Sequence, residues 1–382
     1  MSKANKLASL AVDVNNLSEL ADQVTDIENA IVRANTNAQL IGGIADDIEA
    51  LEANTAVIMN ELSVANSVEV PQQLESFRNK VINGNFDIWQ RGTSQTSSGY
   101  GSVDRWQNYH SGSTKTASQQ AFTVGQTDVP GNPKYYLRNV VSSVVGSGNR
   151  VIVNQKIEGV STLAGQTATL SFWAKADSNK SIATEFTQYF GSGGSPSSGL
   201  SSIGVTTHNL TTFWQKFTAT VSIPSISGKT IGSDGNDRLD CLFWLDAGSN
   251  FDSRTNSLGQ QSGTFDIAQV QLEEGEVATP FEHRPIGTEL ALCQRYYIDC
   301  GTLHVLGYGY GSSSDGTGSA LMFPTTMRAI PTMSKSNESD GSSFAQLIFN
   351  FTSSRGTSLE AQTTNNSFSN WVQADVTADA EL

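Results

Sequence analysis

The sequence predicts a mainly β protein carried on an N-terminal helical stalk, and three observations predict it. The apolar residues recur at intervals of three and four up to about residue 65, and at intervals of two from Lys80 onward. All 32 aromatic residues lie beyond residue 76, the first being Phe77. Charge is unevenly spread as well: Lys3, Lys6 and Arg33 against eleven Asp and Glu leave the first 70 residues at −8, more than half of the chain's −14. The boundary falls near Val70-Pro71, and the organisation expected is a stalk over 1–70, a linker over 71–79, a β-sandwich over 80–286 and a small β-rich tip over 287–382.

The composition bounds the function classes. Charged residues are 16% of 382, against about a quarter in ordinary soluble proteins. The polar surface comes from Ser, Thr and Asn, with 34 glycines and a mean hydropathy of −0.26. That suits a turn-rich β protein of the secreted or virion type better than a cytosolic enzyme. A pI near 4.7 argues against nucleic acid as partner, because phosphate binding needs Lys and Arg. No apolar run is long enough to cross a bilayer and no signal-peptide core opens the chain, so membrane insertion is not expected. Cys241, Cys293 and Cys300 cannot all pair within one chain and form no CxxC, which is the pattern of free thiols. His110, His208, His283 and His304 are too scattered to signal a zinc site.

In the stalk, Leu7, Leu10, Val14, Leu17, Ala21 and Val24 form one 3-4 series, and Ile27, Ile31, Ala34, Ala38 and Ile41 a second. Ile44, Ile48, Leu51, Ile58 and Leu62 belong to a third. This is the seam of a coiled coil, narrow and without aromatics for a private core. Isoleucine at both seam positions favours three strands, hence a parallel homotrimer. The other reading is an antiparallel hairpin that folds back at Gly42-Gly43.

Beyond the linker, period-two runs predict strands: Ile82, Gly84, Phe86 and Ile88; Val151, Val153 and Ile157; Ala168, Leu170, Phe172 and Ala174; Phe213, Phe217, Ala219 and Val221; Leu239, Cys241, Phe243 and Leu245. Short strands between Gly/Ser/Asn-rich loops indicate a sandwich of jelly-roll type. Trp173, Trp214 and Trp244 stand out of phase with these core residues and so point to the other face of their strands. A face bearing tryptophan among Lys, Thr and Asp suits sugar recognition, since indole offers an apolar platform for pyranose C–H groups. Packing under loops or against a neighbouring chain accounts for the same pattern.

The run Val81-Ile82-Asn83-Gly84-Asn85-Phe86-Asp87-Ile88-Trp89-Gln90-Arg91-Gly92, with Asp104-Arg105-Trp106, resembles the opening of a module found in bacteriophage tail fibres. The runs at 170–176, 213–214, 265–275 and 278–282 follow in the same order. The arrangement is also similar to the jelly-roll carbohydrate-binding modules attached to glycoside hydrolases. Cys293-Gln294-Arg295-Tyr296-Tyr297, the run 323–332 and Ala378-Asp379-Ala380-Glu381-Leu382 resemble the distal domain of such fibres. The resemblance, over about residues 79–382, implies an elongated homotrimeric virion fibre assembled in the host cytoplasm. Its N-terminal region would dock on other virion tail proteins, and its tip would meet a host surface glycan or an outer-membrane receptor. A structural calcium is also implied, at Asp87 and Asp266; no other cofactor is expected.

The tip begins with a helical pattern from Thr288 to Tyr297. A Gly-rich loop carrying Tyr308 and Tyr310 follows, a second candidate for glycan contact. Catalysis is not expected. A polysaccharide-degrading tailspike would need two carboxylates set across a groove; Asp240, Asp246 and Glu185 are the residues that could be proposed. A head or collar fibre with no receptor of its own is the remaining alternative.

Overall fold

The computed structural model describes residues 3, 6, 16–23, 25, 77–307, 316–340, 344–363 and 370–382. The chain forms two compact units, Met1–Glu75 and Ser76–Leu382. In the first, residues 16–23 are helical; Leu17 of the first apolar series is 59% exposed, and Leu20, outside that series, 48%. The seam residues Ile44, Ile48, Leu51, Ile58 and Leu62, and the Gly42-Gly43 pair, lie outside the described residues.

The second unit opens with eleven strands: β1 (Ser94–Gln95), β2 (Trp106–Ser111), β3 (Thr114–Ala121), β4 (Tyr135–Ser142), β5 (Arg150–Glu158), β6 (Thr167–Ala176), β7 (Lys180–Tyr189), β8 (Leu200–Leu210), β9 (Gln215–Ser222), β10 (Arg238–Ala247) and β11 (Gly263–Glu274). They build a two-sheet antiparallel sandwich. One sheet has six strands in the order β1-β3-β4-β11-β6-β9, the other five in the order β2-β5-β10-β7-β8. The period-two residues meet between the sheets. Leu170, Phe172 and Ala174 of β6 share one core with Leu239, Cys241, Phe243 and Leu245 of β10, all fully buried. Phe172 meets Phe243 edge-on, with centroids 5.0 Å apart. Burial, with a smaller contribution from the Asp240 charge, pushes the Cys241 thiol up, and all three cysteines are unpaired.

The strand expected over Ile82–Ile88 is instead a corner. Asn83 and Phe86 both take left-handed backbone conformations, at φ 57°, which breaks the pleat. Asn83 supplies what a ladder would have: its side chain donates to the Ile88 and Asp104 carbonyls and accepts from the Ile88 amide. The Asn83 carbonyl accepts from the indole of buried Trp106 at 3.1 Å. Gly84 must be glycine here, because a Cβ would lie 2.1 Å from the Val270 carbonyl oxygen. Phe213, expected in the core set, is 77% exposed, because β9 begins only at Gln215.

Inside the sandwich, His208 of β8 is edge-on to Phe172 and Phe217 and shares a 2.9 Å hydrogen bond with the Thr184 hydroxyl. Burial drives its pKa down to about 4. The unfolded chain therefore binds this proton near pH 6.5 while the folded chain refuses it until about pH 4. His208's contribution is complete above pH 6.5 and is lost as pH falls toward 4, roughly 3 kcal/mol in all. Denaturant titrations at pH 7.5 and 4.5 should differ by less in His208→Asn than in the wild type.

Among the described residues of the tip there are six strands: β12 (Tyr297–Gly307), β13 (Gly316–Met322), β14 (Thr332–Asp340), β15 (Phe344–Ser353), β16 (Gly356–Thr363) and β17 (Asn370–Asp379). They pair as β12-β17-β14 and β13-β16-β15 around Val305, Leu347, Leu359, Ala361, Val372, Ala374 and Val376. The helix expected over 288–297 runs Ile286–Gln294, because the chain leaves it for β12 at Tyr297.

Tip and sandwich are joined by charged residues. Arg295 and the Tyr296 hydroxyl both bond Glu158 of β5 at 2.7 Å. Glu381 lies between Arg91 and Arg105. The Arg105 guanidinium stacks 3.4 Å above the Tyr296 ring, and Arg91 lies 3.7 Å above that of Tyr297.

Candidate functional site

Alternation along β6 and β9 carries two of the three expected tryptophans to the outward face of the six-stranded sheet. Trp173 is half-buried opposite Lys216 on β9, with Ala268 of β11 as its other cross-strand partner. Trp214, just ahead of β9, lies on the same side. Its ring is 5.3 Å from that of Phe122 and 5.2 Å, edge-on, from that of Tyr136; Phe122 and Tyr136 are 4.8 Å apart. All three rings are half-buried, so each keeps part of its surface toward solvent. The turn that delivers Trp214 is closed by Thr211, whose hydroxyl accepts from the Phe213 amide and whose carbonyl accepts from the Ala176 amide.

Polar groups border the rings. Arg138 of β4 donates through Nε and Nη2 to the two oxygens of Asp266, each at 2.8 Å, and through Nη2 to the Tyr136 hydroxyl at 3.2 Å. Burial, with a smaller contribution from the Asp266 charge, pushes the Tyr136 phenol up. Lys175 Nζ sits 5.2 Å from the Trp214 ring centre and 4.0 Å from Asp266. Beside Phe122 the β3–β4 connection encloses a cleft of about 610 Å³ lined by Val124, Pro133, Lys134 and Tyr135. The arrangement combines apolar ring faces with fixed hydrogen-bonding groups, the two requirements of a saccharide site. Sequence reasoning missed Phe122 and Tyr136. Tyr136 alternates with Leu137, which carries the same out-of-phase signal as the tryptophans, whereas Phe122 lies past the end of β3 and gives none.

Trp244 is not part of this face. It points outward from the other sheet, as its parity requires, but is 0% exposed. The segment after β10 folds back over it, stacking Phe251 at 5.1 Å and Arg254 at 5.0 Å, and its indole N–H donates to Glu185 at 3.0 Å. Tyr308 and Tyr310 lie outside the described residues.

The aspartates expected to hold calcium are engaged elsewhere. Both oxygens of Asp266 are taken by the Arg138 guanidinium, which a divalent cation would have to displace, so this pair does not fit calcium. Asp87 accepts from Asn85 at 2.8 Å, and burial pushes its carboxyl up. Among the described residues no group of three or more His, Cys, Asp or Glu is gathered. The carboxylates considered for hydrolysis are likewise committed. Asp246 accepts from Ser113, Ser143 and the Gln261 amide, Asp240 from Arg238 and Thr187, and Glu185 from Trp244, Arg254 and the Ser202 amide.

No protein-family model and no curated protein matches the chain. Solved structures similar to it include the enzymatically active domain of tailspike protein 4 from bacteriophage CBA120, at 13% identity and a TM-score of 0.30 over 52% of this chain. The match spans 22% of that tailspike chain. The family 11 carbohydrate-binding module of Clostridium thermocellum is 10% identical, with a TM-score of 0.29 over 47% of this chain and 95% of the module. The N-terminal cellulose-binding domain of Cellulomonas fimi β-1,4-glucanase C is 17% identical, with a TM-score of 0.28 over 49% and 98% of the two chains.

Proposed function

We propose that this protein binds a cell-surface glycan without cleaving it, as the host-attaching part of a bacteriophage tail fibre. The observation that carries the binding reading is the partly open cluster of Phe122, Tyr136 and Trp214, bordered by the Arg138–Asp266 pair and Lys175. The fibre reading rests on the ordered motifs from Val81 to Leu382 and on the acidic heptad-like segment ahead of them. In this reading the chain is an elongated homotrimer of the virion, assembled in the host cytoplasm. Other tail proteins hold its N-terminal region, and the distal domain adds contacts with a host glycan or outer-membrane receptor. Weak single sites become effective because three are presented together.

Trp214→Ala is expected to weaken glycan binding about tenfold and to leave the unfolding midpoint almost unchanged, since the ring is half-exposed. Calorimetric titration with host-surface polysaccharide checks the first, thermal unfolding the second. Unaltered binding sinks the face. Release of oligosaccharide on incubation favours a depolymerase. Antibody against residues 300–382 should label tail tips of virions; label on the head or collar makes this a structural fibre.

A further inference from the structure

We propose that the ligand of this aromatic face is an anionic glycan, whose negative groups are met by Lys175 and Lys216; this rests on the glycan-binding reading above. The chain as a whole is strongly acidic, with 37 Asp and Glu against 23 Lys and Arg. The outward face around the tryptophans reverses that sign. Arg138, Lys175 and Lys216 stand there beside Asp266, on neighbouring positions of β4, β6, β9 and β11; the next carboxylates, Asp177 and Glu273, are already held, by Lys180 and the Thr264 amide and by Arg78 and Thr279. Asp266 is already held by both nitrogens of Arg138 at 2.8 Å, so Lys175 at 4.0 Å is a second cation on a carboxylate already engaged. Lys216 is exposed, and its one hydrogen bond among the described residues is a 3.4 Å contact with the Thr279 carbonyl.

Each lysine is coupled to an indole. Lys175 lies over the Trp214 ring, and Lys216 is the cross-strand partner of Trp173. Two aromatic–cation couples thus sit side by side on adjacent strands, and each can take a sugar ring on its apolar part and an anionic substituent on its ammonium. On the opposite sheet Arg238 is spent on Asp240 at 2.9 Å, Arg254 on Glu185 and Lys156 on the Leu382 carbonyl, while Arg150 lies over the Tyr109 and Phe251 rings and donates to the Tyr109 hydroxyl. On the six-stranded sheet the positive charge lies beside the half-open rings of Trp173 and Trp214, where it would attract an anionic chain to a protein that is acidic as a whole.

The test uses the full chain and matched polysaccharides. Uronate polymers are compared with their carboxyl-reduced forms, and phosphorylated glycans with their dephosphorylated forms, each titrated at 50 mM and 500 mM NaCl. The expected result is about tenfold tighter binding of one anionic member over its neutral counterpart at low salt, shrinking at high salt as the Debye length falls toward a few ångströms. The pair that responds identifies carboxylate or phosphate as the anion. Lys175→Gln with Lys216→Gln should abolish that preference while leaving thermal unfolding unchanged; Lys175→Arg should retain it. Equal binding of both members, lost in Trp214→Ala, overturns the anionic ligand and leaves the glycan-binding reading intact. No binding of any member overturns both.

Discussion

Replacing Glu381 by Gln should loosen the β-rich tip from the sandwich at a cost of about 3–5 kcal/mol. The Glu381 side chain is 5% exposed and meets Arg91 at 3.2 Å and Arg105, themselves 5% and 1% exposed. Arginine cannot shed its proton, so loss of the carboxylate leaves two guanidiniums out of water with less than their share of counter-charge. Asp104, 3.7 Å from Arg91, and Asp379, 3.4 Å away and 44% exposed, replace only part of it. The ring stacking of Arg105 on Tyr296 would keep that guanidinium in place even as its partner is removed. Denaturant unfolding should show a lower midpoint, and amide exchange should rise at the β12 and β17 ends near Tyr297 and Asp379. Glu381→Leu combined with Arg105→Leu should recover much of the loss, because the isolated charges rather than the missing bond dominate the cost. A wild-type midpoint in Glu381→Gln would rule out this clasp. A second junction pair adds a pH dependence. Burial tends to raise the Glu158 carboxyl, but bonds from Arg295 and Tyr296 outweigh it and hold the group below its usual range. Its contribution is present above the ordinary carboxylate pKa and is lost as pH falls through the depressed value.

These junction residues explain why parts of the chain were recognisable from sequence. Asn83, Gly84, Asp104, Arg105 and Trp106 build the corner under the first sheet, while Arg295 and Tyr296 fasten the tip. Such positions tolerate few residue types, because each satisfies several backbone groups or admits no side chain, and so they form readable runs. The sandwich strands were legible because the core takes every second residue: Ala168, Leu170, Phe172 and Ala174 of β6 and Leu239, Cys241, Phe243 and Leu245 of β10. The corner at 82–88 was misread because its apolar residues also alternate, and only the φ values of Asn83 and Phe86 separate it from a strand. Which outward face stays open was not legible at all. Parity says which side of a sheet a residue takes, but burial there depends on loops arriving from distant positions. Nothing near Trp214 in sequence announces Phe122 or Tyr136, 92 and 78 positions earlier.

Trp244 and Trp214 put that distinction to a direct test, since sequence assigns them one role and the fold assigns them two. Trp244→Ala should cost about 3–5 kcal/mol of stability and leave glycan titrations of the folded protein unchanged. The substitution empties a site packed by Phe251, Ile152, Ala183 and Leu242, and removes the indole donor from a fully buried Glu185. Glu185 keeps Arg254 and the Ser202 amide, so the void contributes more than the lost hydrogen bond. Trp244→Phe, which fills most of the volume without the N–H, should therefore cost only about 1–2 kcal/mol. Trp214→Ala should give the opposite pattern, with binding reduced and stability nearly intact. If Trp244→Ala instead abolished binding in a protein that unfolds at the wild-type midpoint, its covering segment would have to open for ligand. The binding surface would then lie on the five-stranded sheet, with Trp173 and Trp214 serving only to shield the six-stranded one.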